Sequence, residues 1–257
     1  MKKPFFNFAI TKRPCKNIVN GLTTATLGRP NYEKALRQHQ EYVHTLLSIG
    51  LTVTVLDADE NYPDSTFVED TAILTPFCAI ITNPGAPGRR GEITKVESIA
   101  KKYYSNIEFI KSPGTLDGGD VMMVGDHFYI GLSGRTNQDG ANQFIQIIEK
   151  YGMTGSCIEL NNMLHLKTGV AYLENNNLIA AGEFIHHREF RRFNILLVEE
   201  DELYAANCIW VNYVVLIASG YPKKKQIIEQ AGYKTRSLDM SEFRKVDGGL
   251  SCLSLRC

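Results

Sequence analysis

Cys252 stands in KVDGGLSC, three residues after the pair Gly248 and Gly249 and close to the carboxyl end. Glycines there free main-chain N–H groups and give a substrate room to reach the sulfur. A thiol in such a place, with a histidine and carboxylates elsewhere in the chain, is the general pattern of a cysteine nucleophile with an acid/base partner. His165, in NMLHLKTGVAYL, has a leucine on each side and a strand expected beyond it, a setting shared by satisfied core histidines. In FVEDTAIL, Glu69 and Asp70 are adjacent within an apolar, strand-forming context. Two carboxylates there repel one another unless a cation sits between them, so a guanidinium, an ammonium or a metal ligand is implied. A second acidic cluster, TLDGGDVMMVG, has Asp117 and Asp120 flanking Gly118 and Gly119, which let a ligand or another backbone come close. The remaining histidines form no ligand spacing and H-E-x-x-H is absent, so metal-dependent hydrolysis lacks its usual support.

These residues must be positioned by short elements. Residues 31–49 place Ala35, Leu36, Tyr42, Val43, Leu46 and Leu47 on one helical stripe that stops at Gly50, and LTVTVLD follows as a strand. FVEDTAIL and CAIITN predict two strands, GEITKVESIAKKYY a helix and IEFI a strand. The order recurs: VMMVGDHFYIGL predicts a hairpin, NQDGANQFIQIIEKYG a helix and TGSCIEL a strand. AYLENNNLIAAG, FIHHREFRRF and ILLVEE repeat it. Leu22, Glu69, Asp117, His165, Asn207 and Cys252 fall at intervals of 47, 48, 48, 42 and 45 residues. Five units, each sending a residue from the start of its first strand toward one place, predict a closed radial array about a central site. The competing architecture is a doubly wound parallel sheet. It is disfavoured by the paired strands before each helix and by the absence of G-x-G-x-x-G and G-x-x-x-x-G-K-[ST].

Composition narrows the function classes. The 257 residues suit a single domain, 1–257, with no Pro/Ser-rich linker or charge block dividing it. Lys plus Arg equals Asp plus Glu at 28 each, leaving no overall field for a nucleic acid or an anionic membrane. The amino end is too short and too interrupted for a signal peptide, and the apolar run from Tyr213 to Ala218 cannot cross a bilayer, so a soluble, cytoplasmic protein is expected. The six cysteines lack any C-x-x-C pair and suggest neither a zinc site nor a disulfide framework; Cys208 and Cys257 read as inert.

Taken together and in register, FVED, LDGGD, GLSGRTN, HLK, AANCIWVN and VDGGLSC resemble the dimethylarginine dimethylaminohydrolases of the guanidino-modifying enzyme superfamily, over nearly the whole chain. The resemblance implies an α/β propeller of five pseudo-repeats, a pentein, around a central pocket. It implies hydrolysis of Nω-methylated arginine to citrulline and an alkylamine through a thiouronium intermediate, with no metal or organic cofactor. By position, Cys252 resembles the nucleophile, His165 the acid/base and Asp117 the acid beside it, where some relatives carry Glu. Glu69 and Asp70 match the acids around the guanidinium. Arg89 and Arg135 resemble the arginines that bind the α-carboxylate. Asp64, with the carbonyls of Leu22 and Val246, resembles the holder of the α-ammonium group. The partner implied is a small guanidino amino acid, and a homodimer is left open. The enzyme alternatives are an arginine deiminase or an amidinotransferase; outside catalysis, the alternative is a binding protein on the same propeller.

A free thiol with a pKa of about 8.5 is mostly protonated at neutral pH, so a bound cation is expected to help form the Cys252 thiolate.

Overall fold

The computed structural model describes residues 6–257. Each unit is a three-stranded sheet in which the middle strand pairs antiparallel with one neighbour and parallel with the other. The first unit holds β1 (Phe8–Lys12), α1 (Tyr32–Ser48) and β2 (Thr52–Leu56), and the second β3 (Ala72–Leu74), β4 (Ala79–Ile81), α2 (Ile93–Tyr103) and β5 (Ile107–Phe109). The third holds β6 (Val121–Val124), β7 (His127–Leu132), α3 (Gln138–Glu149) and β8 (Thr154–Glu159). In the fourth, a single turn α4 (Leu166–Gly169) precedes β9 (Val170–Tyr172), β10 (Asn177–Ala181) and β11 (Asn194–Val198). The fifth holds β12 (Ile209–Val211), β13 (Val214–Ala218), α5 (Pro222–Gln230) and β14 (Lys234–Leu238), after which α6 (Ser241–Arg244) leads to β15 (Leu255–Arg256).

β15 returns to pair antiparallel with β1, Ile10 facing Leu255, so the first sheet is assembled from both ends of the chain. The first strands of the units lie side by side: β15 against β3, β6 against β9, and β9 against β12. The architecture is therefore the five-unit α/β propeller expected. The predicted helices form where an apolar stripe coincides with a cap. In α1, Asn31 accepts a hydrogen bond from the Lys34 amide at the start, and Gly50 at φ +95° follows the end. In α3, Asn137 accepts one from the Gly140 amide, and Phe144 packs edge-on to Phe128 of β7 with ring centroids 5.4 Å apart. Truncating a ring so placed costs about 3 to 5 kcal/mol.

Two local expectations fail. FVED is not the start of a strand: residues Val68–Thr71 form a 3-10 turn, and the strand begins only at Ala72. FIHHREFRRF forms two 3-10 turns, Gly182–Phe184 and Arg188–Phe190, in place of a helix. Phe184 and Phe190 are both buried against the same sheet, and the charged residues between and after them cannot share that face at helical spacing.

Four of the marked residues, Glu69, Asp117, His165 and Cys252, lie in the turns just before β3, β6, β9 and β15, and Asn207 just before β12. Leu22 departs from this pattern and lies in a loop after the 3-10 turn Lys16–Asn20. The last turn is fastened by α1, whose buried Tyr42 hydroxyl bonds the Leu250 carbonyl at 3.0 Å and shares a 2.6 Å contact with the Ser254 hydroxyl. Among the described residues, no helix is long and apolar enough to cross a membrane.

Candidate active site

Cys252 sits in the 3-10 turn Ser251–Leu253, and the Gly249 amide donates to its Sγ at 3.3 Å. Burial, with Glu69 and Asp70 nearby, pushes the thiol up to about 12. The pocket thus favours the protonated thiol at neutral pH.

His165 caps the start of α4, its main-chain N–H donating to Thr168 Oγ1 at 3.3 Å. Its Nε2 lies 3.1 Å from Oδ2 of Asp117, which is fully buried and accepts the Gly85 amide on its other oxygen at 2.9 Å. The ring packs so tightly on the LDGGD turn that a Cβ on Gly119 would come 3.0 Å from Cγ and Nδ1, which is the close approach the glycine permits. Burial alone would lower the imidazole pKa, but Asp120, Asp70 and Asp117 overcome it and raise it to about 9. The ring is accordingly a cation at neutral pH and able to protonate a departing amine.

Asp70 accepts Arg89 Nη1 at 2.6 Å and the Gly119 amide at 2.9 Å. Burial opposes its ionisation, yet Arg89, His165 and these hydrogen bonds hold it down to about 2. Asp70, Asp117 and His165 offer atoms within 4.8 Å of one another, close enough for a metal. Each of the four carboxylate oxygens already takes one guanidinium, amide or imidazole partner and keeps a second acceptor site.

A cavity of about 180 Å³ joins these groups, lined by Cys252, His165 and Asp70, and further by Leu22, Asp64, Arg89, Arg135 and Val246. Eight of the ten residues singled out from sequence therefore meet in one wall. At the end away from the sulfur, Asp64 accepts the Leu22 amide at 3.0 Å, and burial raises its pKa. The two arginines differ. Arg89 is buried and committed, with Nε and Nη2 on Glu92 at 3.1 and 2.9 Å and Nη2 on the Phe67 carbonyl at 3.0 Å. Arg135 is half-buried, and among the described residues its guanidinium makes neither an ion pair nor a hydrogen bond.

The other two stand behind the wall. Asp117 backs His165. Glu69 receives Lys167 Nζ at 2.6 Å and the Ser251 hydroxyl at 2.7 Å, with Arg256 3.7 Å away. Glu69, Lys167 and Arg256 line a separate, larger hollow of about 1040 Å³, walled by the first strands. That hollow holds neither Cys252 nor His165, so size alone would point away from the chemistry.

Several contributors had no assigned role from sequence. Asn207 was marked only by its spacing, and Asp120 only as the second acid of LDGGD. Glu92, Ser251 and Lys167 carried no signal beyond their neighbours' motifs.

The fold and this wall define a class: propeller enzymes that bring a cysteine, a histidine and several acids to one small central cavity. Residues 24–202 match the family model described as N,N dimethylarginine dimethylhydrolase, eukaryotic. The chain is 52% identical over 252 residues to the N(G),N(G)-dimethylarginine dimethylaminohydrolase of Pseudomonas aeruginosa, covering 98% of this chain and 99% of that protein. It is 32% identical over 250 residues to the Streptomyces coelicolor protein of the same name, covering 96% of each. A crystal structure of a dimethylarginine dimethylaminohydrolase variant in an adduct with S-methyl-L-thiocitrulline superposes with a TM-score of 0.97 at 51% identity, covering 98% of this chain and 100% of that one. A cysteine-to-serine variant from Pseudomonas aeruginosa, complexed with citrulline, gives 0.98 at 50%, covering 99% and 100%. This chain belongs to the dimethylarginine dimethylaminohydrolase family.

Proposed function

We propose that this protein is a cysteine hydrolase that converts asymmetric dimethylarginine or monomethylarginine to citrulline and dimethylamine or methylamine. The observation that carries the reading is that Cys252, His165 and Asp70 face one cavity small enough to enclose a single guanidino amino acid. The family relatives named above, one of them complexed with citrulline, support it.

The guanidinium enters against Asp70, with Glu69 adding to the negative field; a delocalised planar cation meets carboxylates through charge-assisted hydrogen bonds. Its charge offsets the two acids that restrain Cys252, and the thiol proton leaves to solvent. The thiolate adds to the central carbon. His165, held as imidazolium by Asp117, gives its proton to the alkylated nitrogen, the C–N bond breaks, and a thiouronium joined to Sγ remains. The neutral imidazole then takes a proton from water as the oxygen adds to that carbon. Collapse breaks the C–S bond, the hydroxyl proton passes to sulfur, and citrulline departs. Arg135 binds the α-carboxylate with Arg89 behind it, and Asp64 with the Leu22 and Val246 carbonyls holds the α-ammonium group. The six free cysteines fit a reducing, cytoplasmic setting.

Incubation with dimethylarginine, monomethylarginine and arginine, followed by citrulline and amine detection, tests the reading. Ammonia from arginine as the main product would make it a deiminase, a new guanidino compound an amidinotransferase, and no product from any of the three would remove it.

A further inference from the structure

The most consequential group outside the cavity is Asp120. Its side chain is fully buried, and three donors hold it: the Leu166 amide at 2.9 Å, the Ser133 hydroxyl at 2.6 Å and the Thr136 hydroxyl at 2.7 Å. Thr136 Oγ1 in turn accepts the Asp117 amide at 3.1 Å. One carboxylate therefore ties the main chain just after His165 to the main chain of Asp117. All three donors are neutral. Both oxygens are needed as acceptors, because Ser133 Oγ accepts the Arg135 and Thr136 amides and Thr136 Oγ1 the Asp117 amide, so each hydroxyl must donate its proton to Asp120. Burying a carboxylate without a cation is costly, and the imidazole of His165 is the cation that offsets it here. Gly131 of β7 makes the room, since a Cβ there would lie 2.9 Å from Asp120 Oδ1.

We propose that Asp120 is a positioning residue of the hydrolysis: it fixes the two segments that carry Asp117 and His165 and supplies a buried negative charge that favours the imidazolium. The assignment rests on His165 being the acid/base of the reaction proposed above. The Asp120 carboxylate acts with those of Asp70 and Asp117 to favour the protonated ring, while its own pKa, raised by burial to about 6, leaves it ionised at neutral pH. The other charged groups around the ring are Asp117 from the third unit and Asp70, with its partner Arg89, from the second. Arg135, Asp64 and Asp247 share the cavity, Cys252 faces it as a thiol, and Lys167 turns its ammonium away onto Glu69.

The test is the NMR titration of the His165 ring, assigned by its loss in His165→Gln. In Asp120→Asn the midpoint falls by about 1 to 3 pH units, the span expected when a nearby opposite charge is removed. The descending limb of kcat/KM falls with it. Ser133→Ala, which removes one hydroxyl and keeps the anion, leaves the midpoint near that of the unaltered protein. A purely structural Asp120 would cost both variants activity and move neither midpoint; that result overturns the proposal. Should Asp120→Asn fail to fold, the unaltered protein decides: its Asp120 carboxyl carbon is that of a carboxylate between pH 7 and 9, and a protonated carboxyl there equally overturns it. Failure of the functional reading is distinct, because it appears as absence of citrulline from the unaltered enzyme whatever the midpoints do.

Discussion

Asn207 and Ser251 are hydrogen-bonded twice: Asn207 Oδ1 accepts the Ser251 amide at 2.9 Å, and its Nδ2 donates to the Ser251 hydroxyl at 3.0 Å. The same Nδ2 donates to the Lys167 carbonyl at 3.1 Å. One amide thereby joins the turn that holds Cys252 to the turn that follows His165. Replacing Asn207 with Ala strands these partners at about 1 kcal/mol for each bond lost. Thermal melts should show the lower stability, and kcat should fall more than KM rises, since the loosened geometry acts after binding. Unchanged kcat would contradict the role.

The Cys252 thiol, held at about 12, should resist alkylation by iodoacetamide through neutral and mildly alkaline pH. Adding an unreactive guanidine that occupies the cavity should shift the rate profile to lower pH, because its charge offsets Glu69 and Asp70. An identical profile with and without the guanidine would show that the substrate plays no part in forming the thiolate.

The two arginines should separate kinetically. Arg135→Met removes a donor fork with no structural partner, so the expected effect is a rise in KM of about ten- to a hundredfold, worth about 1.5 to 3 kcal/mol, with a near-normal melting temperature. Arg89→Met strips the buried carboxylates of Asp70 and Glu92 of their cation at once and should cost about 3 to 5 kcal/mol of stability. Equal melting temperatures for the two variants would refute the distinction.

Stability should decline as pH rises from neutral. His165 is raised from its ordinary 6.5 to about 9, so its contribution is whole below 6.5 and is lost as pH climbs through 9. Each pH unit in that window corresponds to at most about 1.4 kcal/mol. Glu92, raised by burial to about 7, adds a decline in the same direction between 4.5 and 7. Asp70 works oppositely: depressed to about 2, it stabilises above its ordinary value and loses that contribution only as pH falls through 2. Denaturant melts of the unaltered protein and His165→Gln at pH 6.5 and 9.5 check this. The variant should show the flatter dependence, and parallel slopes would contradict it.

The units were legible where periodicity and caps agree, as in the stripe of α1 with Asn31 before it and Gly50 after it. They were not legible where burial overrides local pattern. FVED has strand-like composition, yet its two acids are drawn into a turn by Arg89, Lys167 and Ser251, partners that lie far along the chain. The meeting of Cys252 and His165 was expected from the spacing of the units, and that of Asp70 with them from the family resemblance of FVED. What spacing could not give was which acid faces which side, and so Glu69 stands under the wall while its neighbour Asp70 lines it. Asp120 and Asn207 had no role assigned from sequence because their partners, Ser133, Thr136 and Leu166 for one and Ser251 and Lys167 for the other, lie in segments that no single motif joins.

The pairing of β15 with β1 has a temporal consequence. A strand made among the first residues must wait for the last ones, and so long a loop closes late relative to local hairpins and helices. The sulfur rides on the segment that completes this closure. Fraying of this one strand pair would therefore displace the thiol itself, so the seam of the ring and the contents of the cavity share one fate.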